Sequence, residues 1–416
     1  MVRPKPDRLG RRGVNLAILC LFFGVAGGFA PHHQINDGSH PSTSSKRPKI
    51  LSLNVKSQDV RPGSMDEATK LTGRVPYGEA SRKYRRTVYT HKDWLVHRSN
   101  DRIISNLLSM FYSGVIRQVK NKIILVSSVA LFVTLWDDFL ANTTLLNQVV
   151  TLPHLSLPTI PFLLSSPALG LLLVFRTNAS YQRWLEGAKL WATMQSHSRN
   201  MVRMATTFSD MTDQDAKRAV EELATSVWVL SRTIMNRLMG DEDEKEYYAE
   251  LIQNNAVDNG FADQLLSEHD RASAALLETS LVLDKVDVDE KRRVEIDKSL
   301  VIIGDTVMSC DRIFSSPVPL VYTRHTARFL SLWILVMPFA IHDEFERVLN
   351  TGLPTVPTAA LLALFLFGIE ELAVQLEEPF SILPLQKYCD EIQQSTKGMI
   401  AWSEKSSSTK QKKTTS

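Results

Sequence analysis

Cysteine is scarce in this chain: only Cys20, Cys310 and Cys389 occur in 416 residues. They lie far apart and fit neither a zinc-ligand spacing nor a disulfide framework, so unpaired thiols are expected. Gly-rich phosphate loops, His-Glu-x-x-His and Gly-x-Ser-x-Gly are all absent. That removes the commonest signatures of nucleotide, zinc-peptidase and serine-hydrolase chemistry, and neither an enzyme nor a cofactor is expected. A charge excess is missing too, because 48 Lys and Arg against 45 Asp and Glu leave +3, too little for a nucleic-acid-binding field. No helix carries Arg at every third position, as a voltage sensor would. His91, His97 and His325 lie near arginines and apolar borders; structural or surface roles are expected, with titration near neutrality as their only functional hint.

What is present is uneven. Mean hydropathy is −0.09, and the apolar residues are clustered. Arg3, Lys5, Arg8, Arg11 and Arg12 precede an apolar stretch from Val14 to Val25, and then "AGGFAP". This has the layout of a cleaved signal peptide over 1–28, the apolar core being short for a span of about 20 residues. Residues 31–58 are rich in Ser, Thr, Pro, His and Lys, with Asp37 their only acid. That composition resembles a plastid transit peptide, and Phe29 in "GGFAP" resembles the start of the bipartite presequences of algae with complex, red-derived plastids. The alternative is an ordinary secretory signal with a disordered pro-segment; either way 29–80 stands apart from the folded chain.

Four apolar segments follow: Ile123–Leu140, Leu157–Phe175, Phe329–Ile341 and Ala359–Ile369, the last extended to 355–376. Several contain Pro or acids, which fits spans packed against protein. Loop 141–156 has no Lys or Arg and 342–352 only Arg347, whereas 82–122 is dense in both. The positive-inside rule then puts the N-terminus, the long middle and the C-terminus on one side, giving two hairpins of spans around an aqueous insert. The expected divisions are 81–122 aqueous helices, 123–175 first hairpin, 176–324 insert, 325–376 second hairpin, 377–401 C-terminal segment and 402–416 disordered tail.

The insert reads as helical, without convincing strand alternation. Tyr181, Trp184, Ala188, Trp191 and Gln195 form one amphipathic stripe, and Leu223, Val227, Leu230, Ile234 and Leu238 another. "DEDEKE" at 241–246 reads as a solvated helix start or loop, because no His, Asn or Gly-turn pattern frames it as a metal site.

"LLLVFRTNASYQRW", Leu171 to Trp184, passes from lipid-like residues to charge with no turn residue between. With the residues after it, "FRTNASYQRWLEGAKLW" resembles the hallmark of the bestrophin family at the end of its second span. "SSPVPLVYTRHTARF" at 315–329 resembles the segment that opens the third span, and "GIEELAVQLEEPFSILPL" at 368–385 the segment that closes the fourth. "HKDWLVHRSNDR" at 91–102 is similar to the opening helix of plant and bacterial members. The order is right over about 90–400, and the segments resemble those of the plastid branch, the thylakoid voltage-dependent chloride channels.

The resemblance implies an all-α membrane protein with four transmembrane spans, a large helical aqueous domain and a homopentamer around a central pore. It implies a neck of three apolar rings from the second span. Pro167, Leu171 and Phe175 stand at i, i+4 and i+8, on one helix face, and five copies would form a constriction able to gate by dewetting. The departure is Pro167, where many relatives have Ile or Phe; Pro there frees a carbonyl one turn earlier. Arg176 has two readings: an anion-concentrating ring in the vestibule below the neck, or a structural ion pair with Glu370, Glu371, Glu377 or Glu378. A second constriction is implied near Pro317-Val318-Pro319, with Ser316 or Val318 facing the axis. Animal members follow Asn-Pro-Phe with acids that clasp Ca²⁺, but here no acid follows Pro379-Phe380 before Asp390. No Ca²⁺ activation through such a clasp is expected, since a hard cation needs several oxygens.

The function so implied is a passive, voltage-dependent anion channel of the thylakoid membrane with stromal termini. Chloride flow would dissipate voltage and leave the pH difference. The driving force is about 2.3 kcal/mol per charge per 100 mV. Expected partners are chloride, bicarbonate or nitrate, membrane lipid and further copies of the chain, with no nucleic acid. The alternatives are a bicarbonate channel feeding carbon fixation, or a non-conducting membrane assembly protein.

Overall fold

The computed structural model describes residues 86, 88–99, 102–109, 114–137, 144–145, 148–149, 154–253 and 259–414. The expected targeting region 1–80, with Cys20, lies outside the described residues, as do 138–140 at the end of the first apolar segment. Two short helices open the described chain, α1 (His91–His97) and α2 (Arg102–Ser109). Thr90 caps α1 in a reciprocal box with Asp93, two orphan backbone donors being satisfied at once. An apolar helix α3 (Gly114–Leu135) follows. The loop after it holds a small antiparallel hairpin, Thr144–Leu145 with Gln148–Val149.

Helix α4 (Ile160–Phe208) runs unbroken for 49 residues, about 74 Å at 1.5 Å per residue. It leaves the apolar region and continues into the insert, as "VFRTNAS" implied. The insert adds α5 (Gln214–Met239), α6 (Glu244–Gln253), α7 (Asn259–Ser267), α8 (Arg271–Asp284) and α9 (Glu290–Ser315). Then come α10 (Leu320–Val336), α11 (Pro338–Leu349), α12 (Thr355–Glu377) and α13 (Leu385–Thr414). The helical backbone of α13 thus crosses 402–414, where composition pointed to a disordered tail.

Two apolar cores result. One joins α3, α4, α10 and α12 through Val126, Ala130, Leu169, Leu173, Leu330, Ile334, Ala359, Ala363 and Phe367. Ala130, Ala359 and Ala363 let α3 and α12 approach closely, as packed helices in lipid require. Among the described residues, α3, α4 and α12 are long and apolar enough to cross a membrane. The third apolar segment is instead divided: α10 has 17 residues and α11 begins at Pro338, which has no N–H to return to the Ile334 carbonyl.

The other core fills the insert. Leu223, Val227, Leu230, Ile234 and Leu238 are all buried there, as are Trp191 and Met194, with Trp184 and Ala188 packed against them. Arg232 is fully buried in this core, 2.5 and 2.8 Å from Asp243 and 2.6 Å from Glu250. Burial works against its charge, but the hydrogen bonds and charge of Asp243, with those of Glu250, raise its pKa above the ordinary value. The "DEDEKE" run is therefore not simply solvated. Asp243 is buried against Arg232, and Glu244 bonds Arg271 at 2.8 Å, which fixes the short 3-10 turn Gly240–Asp243 between α5 and α6.

Candidate pore and its frame

The face of α4 that packs inward is one continuous stripe. Leu169, Leu173, Arg176, Ser180, Gly187, Trp191, Met194 and Ser198 are all buried, at the 3–4 residue steps of one helix side. The opposite face is bare within one copy of the chain. Leu171 is 54% exposed, Phe175 is 55% exposed, and Pro167 is exposed too. The three implied neck residues therefore share one free apolar face, two helical turns long.

Pro167 does not break α4. The carbonyl it leaves without a partner belongs to Leu163, and the Ser166 hydroxyl donates to that oxygen at 3.0 Å. The preceding hydroxyl, Ser165 Oγ, accepts from Trp333 Nε1 of α10 at 2.9 Å. The "SSP" triplet is thus a self-satisfied proline site, in which a neighbouring hydroxyl repairs the ladder.

Arg176 stands apart from its neighbour. It is 5% exposed, and its Nε lies 2.8 Å from Glu370 Oε2 of α12. The two atoms are in ionic contact without the alignment of a hydrogen bond, since neither has a directed hydrogen-bond partner. Successive helix residues point about 100° apart, so Phe175 faces outward while Arg176 faces α12. Of the two readings of Arg176, the ion pair is present within one copy. The guanidinium is enclosed between helices and paired, so within one copy it does not line an open surface.

Helix α12 carries polar contacts to both α3 and α4. Glu370 takes Arg176 of α4, while Glu371 lies 3.8 Å from Lys122 of α3. Gln375 donates to Gln118 of α3 at 2.5 Å and to Glu371 at 3.2 Å. At its end, Pro379 seats against Gly187: a Cβ on Gly187 would lie 3.1 Å from the Pro379 ring.

The segment implied as a second constriction lies between α9 and α10. Ser316 is exposed and Val318 half-buried. Val318 N–H donates to Glu377 Oε1 at 3.2 Å. Arg183 of α4 holds the same place: Nε to the Glu377 carbonyl at 2.9 Å, Nη1 to that of Ser316 at 2.7 Å, Nη2 to that of Ile313 at 2.6 Å. The fold thus brings Ser316 and Val318 to the helix that carries Pro167, Leu171 and Phe175. In the sequence Arg183 stands out only as part of the Tyr-Gln-Arg-Trp motif. Its signal was stripe position: steps of three and four forward from Arg176 reach Ser180, Arg183 and Gly187.

At the other end of α3, Asp137 is buried and accepts from Leu155 N–H at 2.9 Å. His342 of α11 lies 3.6 Å from it and His154 3.5 Å, a polar knot between the two hairpin ends that sequence reading missed. Among the described residues no group of three or more His, Cys, Asp or Glu is placed to hold a metal ion.

Comparison with known proteins agrees with this architecture. The family model described as "Bacterial/Fungal Bestrophin protein" matches residues 93–398. "Voltage-dependent chloride channel 1, chloroplastic" of Arabidopsis thaliana is 29% identical over 314 residues, 75% of this chain and 72% of the relative. A Synechocystis protein named as voltage-dependent anion channel-forming is 27% identical over 315 residues, 72% of this chain and 92% of the relative. In fold, the chain is similar to a crystal structure of a bacterial Bestrophin homolog from Klebsiella pneumoniae, a point variant. The TM-score is 0.57 at 20% identity, over 70% of this chain and 99% of that one.

Proposed function

The chain belongs to the bestrophin family, whose model spans residues 93–398, and from that membership we propose that it is a passive anion channel conducting chloride. The observation that carries the reading is the division of α4 into two faces. One face is packed from Leu169 to Ser198, while the opposite face presents Pro167, Leu171 and Phe175 bare. A bare apolar stripe on a helix that continues into water suits the lining of a narrow neck, where dewetting sets the gate.

In this reading five copies surround the axis, with Ser316 and Val318 at the aqueous exit. Arg176 contributes through its pairing with Glu370 and not as a vestibule charge. Two relatives in Arabidopsis thaliana are named chloroplastic voltage-dependent chloride channels, which supports a plastid membrane. The thylakoid, with termini and insert in the stroma, is the placement that the charge bias of the loops and the acid-poor leader favour. There chloride would follow the voltage set up by proton pumping, leaving stored energy as a pH difference.

Planar-bilayer recording of the purified oligomer under a chloride gradient tests this. A reversal potential near the chloride equilibrium value is expected. One that follows bicarbonate in a paired gradient would reassign the conducted ion, and a silent, intact oligomer would overturn the channel reading.

A further inference from the structure

We propose that Arg183 is a positioning residue of the pore: its guanidinium sets where the Ser316–Val318 turn stands relative to the apolar stripe of α4. The proposal rests on the reading of that turn as the aqueous exit. Three carbonyls converge on Arg183, from Ile313 and Ser316 at the end of α9 and from Glu377, the last residue of α12, at 2.6, 2.7 and 2.9 Å.

Each of these oxygens lies where a helix runs out of donors. The last four carbonyls of a helix have no partner within it. Ile313 is a special case, because the residue four positions on is Pro317, which has no N–H to give. Arg183 Nη2 supplies that missing donor. A cation is also favoured at the negative end of the α9 and α12 dipoles. Only a planar fork reaches three separated acceptors at once; a lysine ammonium is a single point.

The contact is closed on itself. Glu377 receives Arg183 Nε on its carbonyl and Val318 N–H on its carboxylate, the latter at 3.2 Å. The turn is therefore gripped on both sides of Pro317 and tied to the residue eight positions beyond Phe175, about 12 Å along α4. The join of α9 to α4 has other support. Arg312 bonds Glu186 at 2.5 Å, and Ile303, Val307, Cys310 and Ile313 belong to the insert core. Loss of Arg183 then frees the turn, not the helices. In a ring of copies a displaced turn enters from every side, so the width of the exit follows this one side chain.

The test compares wild type, Arg183→Met, Arg183→Lys and a control, Arg199→Met, which removes a link from α4 to Ser395 and Glu391 of α13. Bi-ionic reversal potentials across chloride, bromide, nitrate and thiocyanate are read in planar bilayers, and amide exchange over 316–322 is read by mass spectrometry. Size exclusion checks assembly.

Arg183→Met is expected to elute as wild type and to exchange about tenfold faster over 316–322, the worth of a lost charge-assisted hydrogen bond. Its permeability for the larger anions relative to chloride should shift by about threefold or more. Arg183→Lys should fall between, and Arg199→Met should match wild type in both. An assembled Arg183→Met with the wild-type permeability sequence overturns the proposal, even if exchange rises; should it not assemble, the same criterion passes to Arg183→Lys. A wild type that conducts no anion overturns the channel reading instead. The clamp is then judged by exchange, and unchanged rates over 316–322 overturn it.

Discussion

At the scale of single residues, Phe175 and Arg176 show why adjacent positions in one helix need not share a task. A 100° step carries one to the free face and the other to the packed stripe. Replacing Phe175 and Leu171 together with Ala should widen the neck. Larger unitary currents and weaker rectification in bilayer recordings are expected, and unchanged rectification would count against the neck assignment. Arg176 predicts a different phenotype. Arg176→Met strands Glu370 in a buried site, and breaking such a pair costs about 3–5 kcal/mol. The oligomer should melt well below wild type, the Arg176→Met/Glu370→Met double variant should recover much of the loss, and ion selectivity should be kept by both. A stable Arg176→Met with lowered anion preference would restore the vestibule reading. Sequence alone left both readings open, since the choice depends on which residue of α12 comes opposite. Four acids stood within reach, and the helix phase that selects Glu370 is set by Ala359, Ala363 and Phe367 packing on the same side of α12.

At the scale of elements, periodicity was the most legible signal. The Leu223–Leu238 stripe is wholly buried because α5 has core on nearly every side. Proline is legible only in part. That Pro167 frees a carbonyl follows from chemistry, but that Ser166 closes it depends on a rotamer. The two prolines differ in their neighbours: beside Pro167 the Ser166 hydroxyl donates to the freed Leu163 carbonyl, whereas Pro338 follows Met337, whose side chain has no donor for the Ile334 carbonyl. The small residue on α4 that the stripe hides is Gly187, whose missing side chain admits Pro379. Gly187→Leu should force the end of α12 away from α4 and lower stability by about 1–3 kcal/mol, the cost of overpacking. Thermal melting followed by tryptophan fluorescence reads this, and a melting point within error of wild type would show that the Pro379 turn yields freely.

At the scale of the whole molecule, one helix belongs to two cores. Helix α4 contributes Leu169 and Leu173 to the apolar bundle and Trp191 and Met194 to the insert, so one helix joins the two cores. The join between them is made of side chains: Arg176 with Glu370, Arg183 with three carbonyls, Gly187 with Pro379. Each lies in a stretch that carries the family likeness, yet their pairing is illegible in the sequence because the partners are 130 to 194 residues apart. Calcium offers a test of this join as a whole. After Pro379, Phe380 is fully buried and Leu383 and Leu385 lie in the insert core, so the turn that would have to cradle a cation is closed by apolar packing. A hard cation needs six to eight oxygens at about 2.3–2.6 Å, and 379–389 contains no carboxylate. Conductance should therefore stay flat as calcium is titrated through the micromolar range. A steep rise there would mean that another part of the molecule gathers the ligands and acts on the join from a distance. Arg183→Lys, which keeps the charge and loses the fork, should leave that flat response unchanged while altering which anions pass. That separation of calcium response from selectivity is what a joint held by a built-in guanidinium predicts.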